Sequence, residues 1–299
     1  MMTNSDTRVW EKDGVDYREW RNVPLKDIAC YEYAEKMEEI FSLPPEAYSS
    51  KEVPQGTLTK RHWESRVVYP GVAGDYWVYV PQQYDGRETA LMVFLDGEEY
   101  LETSKANIVL DHLIHKGEIP VMIAIFINPG DKGPGLPRYG GTDNRSIEYD
   151  SIDDRYASFL EKEIIAEVKA DFHISDDPNL HGICGISSSA NAAFAAAWNR
   201  NDLFTRVLSH VGSYTNIRGG HNFPTLIRQT KKKNIRVYLQ TGRHDLNTCF
   251  GDWLIANRDM DSALEYKDYQ HKLVVGPGAH SMRFGASTLP ESLTWLWMD

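Results

Sequence analysis

The stretch from Leu180 to Trp198 constrains the fold of this chain more than any other. It reads Leu-His-Gly-Ile-Cys-Gly-Ile-Ser-Ser-Ser-Ala-Asn and then continues as an alanine-rich run. This pattern predicts a short buried strand, a sharp turn and a helix, with Ser187 at the turn. Such a turn, with the pattern G-x-S-x-G, is a nucleophile elbow, which holds a serine in a strained conformation above a parallel sheet. Gly185 fits the pattern, whereas Ser189 occupies the position where a second glycine is usual.

The segments around this turn predict an α/β fold. The runs 91–95 and 121–127 are almost continuously apolar and are separated by a helical pattern. Apolar strands that alternate with helices indicate a parallel sheet covered on both faces. Further strands are predicted at 206–211, 235–240 and 272–275. We therefore expect a doubly wound, mostly parallel sheet with helices on both faces.

The chain is predicted to hold one such domain, over residues 56–299, preceded by an N-terminal extension over residues 1–55. Alternating polar and apolar residues between Gly56 and Val80 predict an antiparallel strand pair at the sheet edge. The segment from Asn128 to Asp150 is rich in proline and glycine and lacks periodicity. Long loops in compact domains are commonly functional, so this segment is expected to form one wall of a cleft.

Composition argues against several classes of partner. The 299-residue chain has a net charge of −11, with its basic residues scattered, so a nucleic acid partner is not expected. No apolar run is long enough for a membrane span, and the first thirty residues lack the apolar core of a secretory signal, so a cytoplasmic protein is expected. No phosphate loop, dinucleotide fingerprint or convincing metal-ligand spacing is present, so neither a cofactor nor a metal is expected. A homodimer remains open.

An activated serine needs a base within hydrogen-bonding distance and a carboxylate that orients the base. Two segments that follow later predicted strands, 241–247 and 276–281, supply Asp245 and His280. The order Ser187, Asp245, His280 is the chain order of α/β-hydrolases. Each of the three follows the carboxyl end of a predicted strand, where open α/β sheets place their sites.

Other residues compete for these roles. His244 is a second candidate base and Asp252 a second candidate acid, while Ser188 and Ser189 are rival nucleophiles. Only Ser187 has the elbow position, and the glycines before His280 suit a tight loop. We therefore favour Ser187, His280 and Asp245 and keep the others as alternatives.

The backbone N–H of Ser188 is the first predicted oxyanion donor, because it directly follows the nucleophile. A second donor is expected from the loop after an early strand, where the N–H of Glu98 fits and Gly97 allows close approach. Aromatic and polar side chains near the mouth of the site are expected to recognise the substrate: Trp253, Arg218, Glu148 and Tyr149.

The chain resembles a known family, the esterases related to enterochelin esterase, esterase D and the feruloyl esterases of carbohydrate esterase family 1. The resemblance runs from about Val53 to Trp297. It is carried by these motifs in order: Val53-Pro-Gln-Gly56, Asp75-Tyr-Trp-Val-Tyr-Val80-Pro81, Val93-Phe-Leu-Asp-Gly97, Asn144-Arg-Ser-Ile-Glu148-Tyr149-Asp150, Gly185-Ile-Ser187-Ser188, Gly212-Ser-Tyr-Thr-Asn-Ile-Arg218-Gly-Gly220 and Trp295-Leu-Trp297. It implies an α/β-hydrolase fold and serine esterase activity without a cofactor. It also implies a triad of Ser187, Asp245 and His280.

The sequence thus predicts a serine carboxylester hydrolase that forms an acyl-enzyme with a small-molecule ester. The resemblance leaves the ester open among siderophore, phenolic or feruloyl, sugar and lactone esters. Two alternatives stand beside this prediction. One is an acyltransferase or lactone-forming enzyme that uses the same triad, and the other is a catalytically silent binding protein in which Ser189 has altered the elbow.

Overall fold

A computed structural model describes residues 41–131 and 144–298 of the chain. Its centre is an eight-stranded sheet. The strands of this sheet are β1 (Thr57–Glu64), β2 (Ala73–Val80), β3 (Ala90–Leu95), β4 (Met122–Ile127), β5 (His181–Ile186), β6 (Arg206–His210), β7 (Arg236–His244) and β10 (Gln270–Ala279). A small hairpin of β8 (Asn247–Thr248) and β9 (Gly251–Asp252) lies between β7 and the next helix.

The strand order across the sheet is β1-β2-β4-β3-β5-β6-β7-β10. Strand β1 pairs antiparallel with β2, and β2 pairs antiparallel with β4. All other neighbours are parallel, so β4, β3, β5, β6, β7 and β10 share one direction. Their carboxyl ends therefore meet at one edge, where parallel α/β sheets place their ligands.

Helices connect the parallel strands. They are α1 (Gly97–Glu102), α2 (Ala106–Lys116), α3 (Asn144–Tyr149), α4 (Arg155–Phe159), α5 (Ala166–Asp171), α6 (Ser188–Asn199), α7 (Phe223–Gln229), α8 (Trp253–Tyr266), α9 (Met282–Ser287) and α10 (Leu289–Trp297). A π-helical segment, Leu160–Ile165, joins α4 to α5. Short 3₁₀ turns occur at Pro45–Ala47, Pro178–Leu180 and Gly220–Asn222.

The apolar core lies on both faces of the sheet. Every residue of β3 and β4 is buried, as the continuous apolar runs predict. Leu91 and Val93 face a cluster that includes Phe194 of α6, whereas Met92 faces a second cluster that includes Leu110 of α2. Burial on two faces explains why these strands do not alternate between polar and apolar residues.

The structure confirms the predicted α/β architecture, including the antiparallel pair at one edge. The expected loop from Asn128 to Asp150 is wrong in its last part, because Asn144–Tyr149 is helical and packs against α6. Its polar residues bond within one helical turn, since the Ser146 hydroxyl donates to Asp150 and the Asn144 amide to Glu148. Residues 132–143 of that segment lie outside the described residues.

The predicted N-terminal extension is only partly described. Residues 1–40 lie outside the described ranges, so the boundary at residue 55 stays a prediction. Near that boundary, the Lys116 ammonium on α2 contacts Glu46 at 2.8 Å, and His112 Nε2 lies 2.9 Å from the carbonyl oxygen of Tyr48.

No helix within residues 41–131 and 144–298 is long and apolar enough to cross a lipid bilayer. In the same residues, no group of three or more His, Cys, Asp or Glu side chains is arranged to hold a metal ion. The ring nitrogens of His181 lie 2.9 and 2.8 Å from the carbonyl oxygens of Leu203 and Ser175.

Candidate active site

The turn after β5 holds Ser187 in a strained conformation. Its φ is 59° and its ψ is −121°, a backbone geometry that non-glycine residues rarely adopt. Gly185 makes the turn sterically feasible, because a Cβ there would lie 2.2 Å from the backbone oxygen of Ser189. The Ser187 N–H donates to the carbonyl oxygen of His210 at 2.9 Å, which ties the turn to β6. Ser187 is partly exposed at the carboxyl edge of the sheet.

Ser189, which departs from the usual elbow pattern, stabilises this turn. Its hydroxyl donates to the carbonyl oxygen of Ile186 at 2.7 Å and accepts from the Ile186 N–H, also at 2.7 Å. The side chain is fully buried and faces the end of β5. Ser189 therefore closes the turn rather than presenting a rival nucleophile.

His280 contacts both other members of the predicted triad. Its Nε2 lies 2.8 Å from Ser187 Oγ, and its Nδ1 lies 2.6 Å from Asp245 Oδ1. An ionised carboxylate can only accept, so Nδ1 carries the hydrogen and a neutral ring leaves Nε2 as the acceptor. The Ser187 hydroxyl then donates to Nε2. This is the hydrogen-bond order of a serine whose proton can be removed by an oriented base.

Asp245 is held firmly at the end of β7. Its side chain is completely buried, and it accepts from the Thr241 hydroxyl and from the Leu246 N–H, both at 2.7 Å. The two rivals have other positions: His244 is exposed, and Asp252 caps α8 by accepting from the Ile255 N–H at 3.0 Å. The structure therefore brings Asp245, and not Asp252, to the imidazole.

The predicted oxyanion donors differ in their surroundings. Ser188 is the first residue of α6, directly after the nucleophile position. The Glu98 N–H donates to the Asn128 side-chain oxygen at 3.0 Å in this structure, so its role as the second oxyanion donor stays a prediction. Packing requires a glycine at position 97, because a Cβ on Gly97 would lie 2.3 Å from the backbone of Phe126.

Two of the four predicted substrate-binding residues are buried instead of lining a mouth. Glu148 accepts from the Gly130 N–H, and Tyr149 accepts from the Asp96 N–H through its hydroxyl. Their burial follows from α3, the helix that the sequence did not indicate. The prediction that they face a substrate is therefore wrong for this structure.

The other two predicted substrate-binding residues are Arg218, which lies at the surface, and Trp253, which lies beside the triad. Arg218 is exposed, and its Nε donates to the Ser146 hydroxyl at 3.2 Å. Trp253 is buried, with its ring centroid 5.8 Å from that of His280 in an edge-to-face arrangement. Trp253 thus contacts the base itself.

A buried carboxyl group lies beneath the start of α6. Burial raises the pKa of Asp150, while hydrogen bonds from Ser146 and Ser188 oppose that rise. Ser146 donates to Asp150 at 2.7 Å and also accepts from Arg218. The exposed arginine is thereby connected to the helix that begins beside Ser187.

A buried histidine supports the elbow from the opposite face of the sheet. The ring of His210 lies against Tyr100 of α1, whose hydroxyl is 2.8 Å from Nδ1, and against Gly285 of α9. Burial lowers the pKa of His210 to about 3, so the ring is neutral near pH 7. His210 thus contacts α1, which begins at Gly97, and α9, which begins just after His280.

One close neighbour of Ser187 was not predicted from the sequence. Ser213 Oγ lies 3.2 Å from Ser187 Oγ and accepts from the Trp253 indole N–H at 3.0 Å. The segment that contains Ser213 follows the predicted strand 206–211, so its position at the carboxyl edge was the available signal.

A serine on a strand–turn–helix elbow, with a histidine and an aspartate at the ends of later parallel strands, defines the α/β-hydrolase class. The chain belongs to the family described as putative esterase, whose profile matches residues 75–296.

Curated relatives match part of this chain. It is 26% identical over 172 residues to an iron(III) enterobactin esterase of Escherichia coli O6:H1 and, equally, to that of strain K12. Each match covers 56% of this chain and 40% of the relative, so the chain spans less than half the length of the curated relatives it matches.

Solved structures share the fold. An enterobactin esterase from Shigella flexneri, crystallised in the presence of enterobactin, is 20% identical with a TM-score of 0.67, covering 83% of this chain and 61% of the other. A ferulic acid esterase from Anaeromyces mucronatus, in complex with ferulic acid, is 13% identical with a TM-score of 0.64, covering 86% and 96%. At these identities the similarity establishes the α/β-hydrolase fold.

Proposed function

We propose that this protein is a serine carboxylester hydrolase that acts through Ser187, His280 and Asp245. The observation that carries the proposal is the continuous series of hydrogen bonds from Ser187 Oγ through the His280 ring to Asp245. Family membership supports ester hydrolysis in general. The strained backbone of Ser187 supports a functional role, because such strain persists mainly at sites where it is used.

In the proposed reaction, His280 Nε2 removes the proton from Ser187 while Oγ attacks the ester carbonyl. The resulting imidazolium lies against Asp245, whose side chain is shielded from water and can stabilise that charge. The imidazolium then gives its proton to the departing alcohol, which leaves an acyl-serine. Water next attacks the acyl carbonyl, with His280 again as the base.

The N–H groups at the start of α6, beginning with that of Ser188, are the proposed donors to the oxyanion. They gain from the helix N-terminus, where unpaired N–H groups carry partial positive charge. A second donor from the Glu98 N–H would require Asn128 to turn away, since Asn128 accepts that hydrogen bond in the present structure.

We propose that the substrate is an ester whose acyl part carries a phenolic ring. The relatives with similar sequence or fold are named as esterases of enterobactin and of ferulic acid. The exposed guanidinium of Arg218 would bind an acidic or phenolic group on such a molecule. A sugar ester or a lactone would use the same reacting residues.

The test is hydrolysis of p-nitrophenyl acetate, methyl ferulate and a catecholate lactone by wild type and by Ser187→Ala. We expect turnover of at least one ester, with kcat lowered about 10⁴-fold or more in the variant. Ser292→Ala is the matched control, because it removes another buried serine hydroxyl, one that only bonds within α10. Wild type that binds these esters without turnover would overturn the proposal and favour a binding protein. Turnover that appears only with an added alcohol would favour acyl transfer.

A further inference from the structure

The turn after β6 places a second serine against the nucleophile position. Ser213 is buried, and its Oγ is 3.2 Å from Ser187 Oγ. Its backbone N–H also donates to the carbonyl oxygen of Ser187 at 3.0 Å. The two serines are therefore joined through both their side chains and their backbones.

The direction of the hydrogen bonds can be worked out from the chemistry of the partners. The indole N–H of Trp253 is only a donor, so Ser213 Oγ accepts from it. The Ser187 hydroxyl hydrogen is directed to His280, which leaves Ser187 Oγ as an acceptor. The hydrogen of Ser213 thus remains for Ser187 Oγ, and all these bonds run in one direction, from Trp253 through the two serines to the imidazole.

The backbone of this second turn is strained. Val211, two residues before Ser213, has a φ of 42°, which is an outlier for a β-branched residue. Hydrogen bonds hold the turn in this conformation. The Val211 N–H donates to the Gln240 carbonyl oxygen at 2.7 Å. The side chain of Asn257 donates to the Gly212 carbonyl oxygen at 2.9 Å, and the Ser213 N–H donates to Ser187. Strain that is maintained by several contacts is evidence of a positional requirement.

We propose that Ser213 is a further catalytic residue, whose hydroxyl donates a hydrogen bond to Ser187 Oγ and assists its departure from the acyl-enzyme. This inference rests on the proposed function. In deacylation, water adds to the acyl carbonyl and gives its proton to His280. The bond between the acyl carbon and Oγ then breaks, Oγ takes the proton back from the imidazolium, and a free carboxylic acid is released.

The contribution of Ser213 differs between the two halves of the reaction. In the free enzyme the hydrogen bond to Ser187 Oγ already exists, so acylation gains little from it. In the acyl-enzyme, Oγ is an ester oxygen and a poor acceptor, whereas negative charge develops on it as the bond breaks. An interaction that strengthens between ground state and transition state accelerates that step. Ser213 should therefore promote deacylation selectively.

Trp253 is a positioning residue for this hydroxyl. Its N–H occupies one acceptor site of Ser213 Oγ and so directs the Ser213 hydrogen towards Ser187. Its ring also packs against His280. Trp253→Phe keeps a ring in this place but removes the indole donor.

The experiment is pre-steady-state and steady-state hydrolysis of p-nitrophenyl acetate by wild type, Ser213→Ala, Ser213→Thr and Trp253→Phe. In Ser213→Ala we expect kcat and KM to fall together by roughly 10- to 100-fold, the range for loss of a hydrogen bond to a developing charge. Because acylation is spared, kcat/KM should change little, and the acetyl-enzyme should accumulate and be visible by intact mass. Ser213→Thr should restore most of the turnover, and Trp253→Phe should show the same pattern with a smaller change.

The outcomes separate this inference from the proposed function. An active wild type with unchanged kcat and KM in Ser213→Ala, or with kcat/KM lowered as much as kcat, would overturn the role of Ser213 alone. A wild type that neither hydrolyses an ester nor forms an acyl-enzyme would overturn the proposed function itself. If Ser213→Ala does not fold, Trp253→Phe decides, because wild-type kinetics in that variant would contradict the proposed hydrogen-bond order.

Discussion

Two neighbouring strands of this sheet end in strained turns, but the strain lies at different places. After β5 the residue with positive φ is Ser187 itself, whereas after β6 it is Val211, two residues before Ser213. The first turn thus strains the residue that reacts. The second turn strains the buried Val211, which does not react, and so places the Ser213 hydroxyl against Ser187.

The difference also decides which turn is visible in a sequence. The elbow requires Gly185, because a Cβ there would meet backbone, and a glycine before a serine is a recognisable signal. The turn after β6 uses valine in a conformation that valine normally avoids. A residue type that contradicts its own backbone preference gives no signal of the turn, so the place of Ser213 after a predicted strand was its only indication in the sequence.

The largest expected effects on turnover come from replacing the residue at the end of each hydrogen-bond series: Asp245 for Ser187, and Trp253 for Ser213. Asp245→Asn should lower kcat about 10⁴-fold, because an amide favours the wrong tautomer of His280 and does not stabilise the imidazolium. Trp253→Phe should lower kcat by only about 2- to 10-fold, as expected for loss of a neutral hydrogen bond. Steady-state kinetics measures both. Equal losses in the two variants would contradict the view that only the first turn is linked to a buried charge.

A smaller difference is expected in the free energy of unfolding when the glycine of each turn is replaced by alanine. Gly185→Ala would place a Cβ against the backbone of Ser189, which cannot move without opening the elbow, so we expect a loss of roughly 3 kcal/mol in the free energy of unfolding. Gly212→Ala would meet side-chain atoms of the buried Tyr214 and Ser209 rather than backbone atoms, so a smaller loss of about 2 kcal/mol is expected. Urea unfolding of both variants is the measurement, and a larger loss in Gly212→Ala would reverse the comparison.

The Ser189 hydroxyl should contribute next. Ser189→Gly would restore the usual elbow pattern but leave the N–H and carbonyl groups of Ile186 without their partner. We expect the free energy of unfolding to fall by about 1 to 2 kcal/mol, with no gain in ester hydrolysis. Ser189→Ala, which removes the hydroxyl without adding backbone freedom, is the control. A large gain in hydrolysis by Ser189→Gly would instead show that Ser189 restrains the activity.

The smallest effect should come from releasing the strain at the elbow. Ser187→Gly should raise the free energy of unfolding by about 1 kcal/mol, because glycine adopts positive φ without steric cost. Ser188→Gly makes the same replacement one position later, at the start of α6, and should lower it by about 1 to 3 kcal/mol, because it also removes the hydrogen bond from Ser188 to the buried Asp150. Thermal unfolding of the two variants is sufficient, and a destabilised Ser187→Gly would mean that the elbow stores no strain.

Much of this arrangement could be predicted from the sequence, because it follows from periodicity and chain order. Apolar runs fixed the parallel strands, and residues directly after them, such as His280, had to meet at one edge. The helix Asn144–Tyr149 was missed because it is short, and because its polar residues are buried partly through contacts from outside the helix, such as those of Gly130 and Arg218. The contact between Asn128 and the Glu98 N–H was missed for a similar reason, since it joins loops 30 residues apart.

The most direct test of the central claim is the intact mass of the folded protein after treatment with a serine-reactive fluorophosphonate, beside Ser187→Ala. Only a serine activated by a neighbouring base reacts readily with such a reagent. We predict one adduct on wild type and none on the variant. Folded wild type without an adduct, or an adduct that persists in Ser187→Ala, would contradict the assignment of Ser187 as the activated nucleophile.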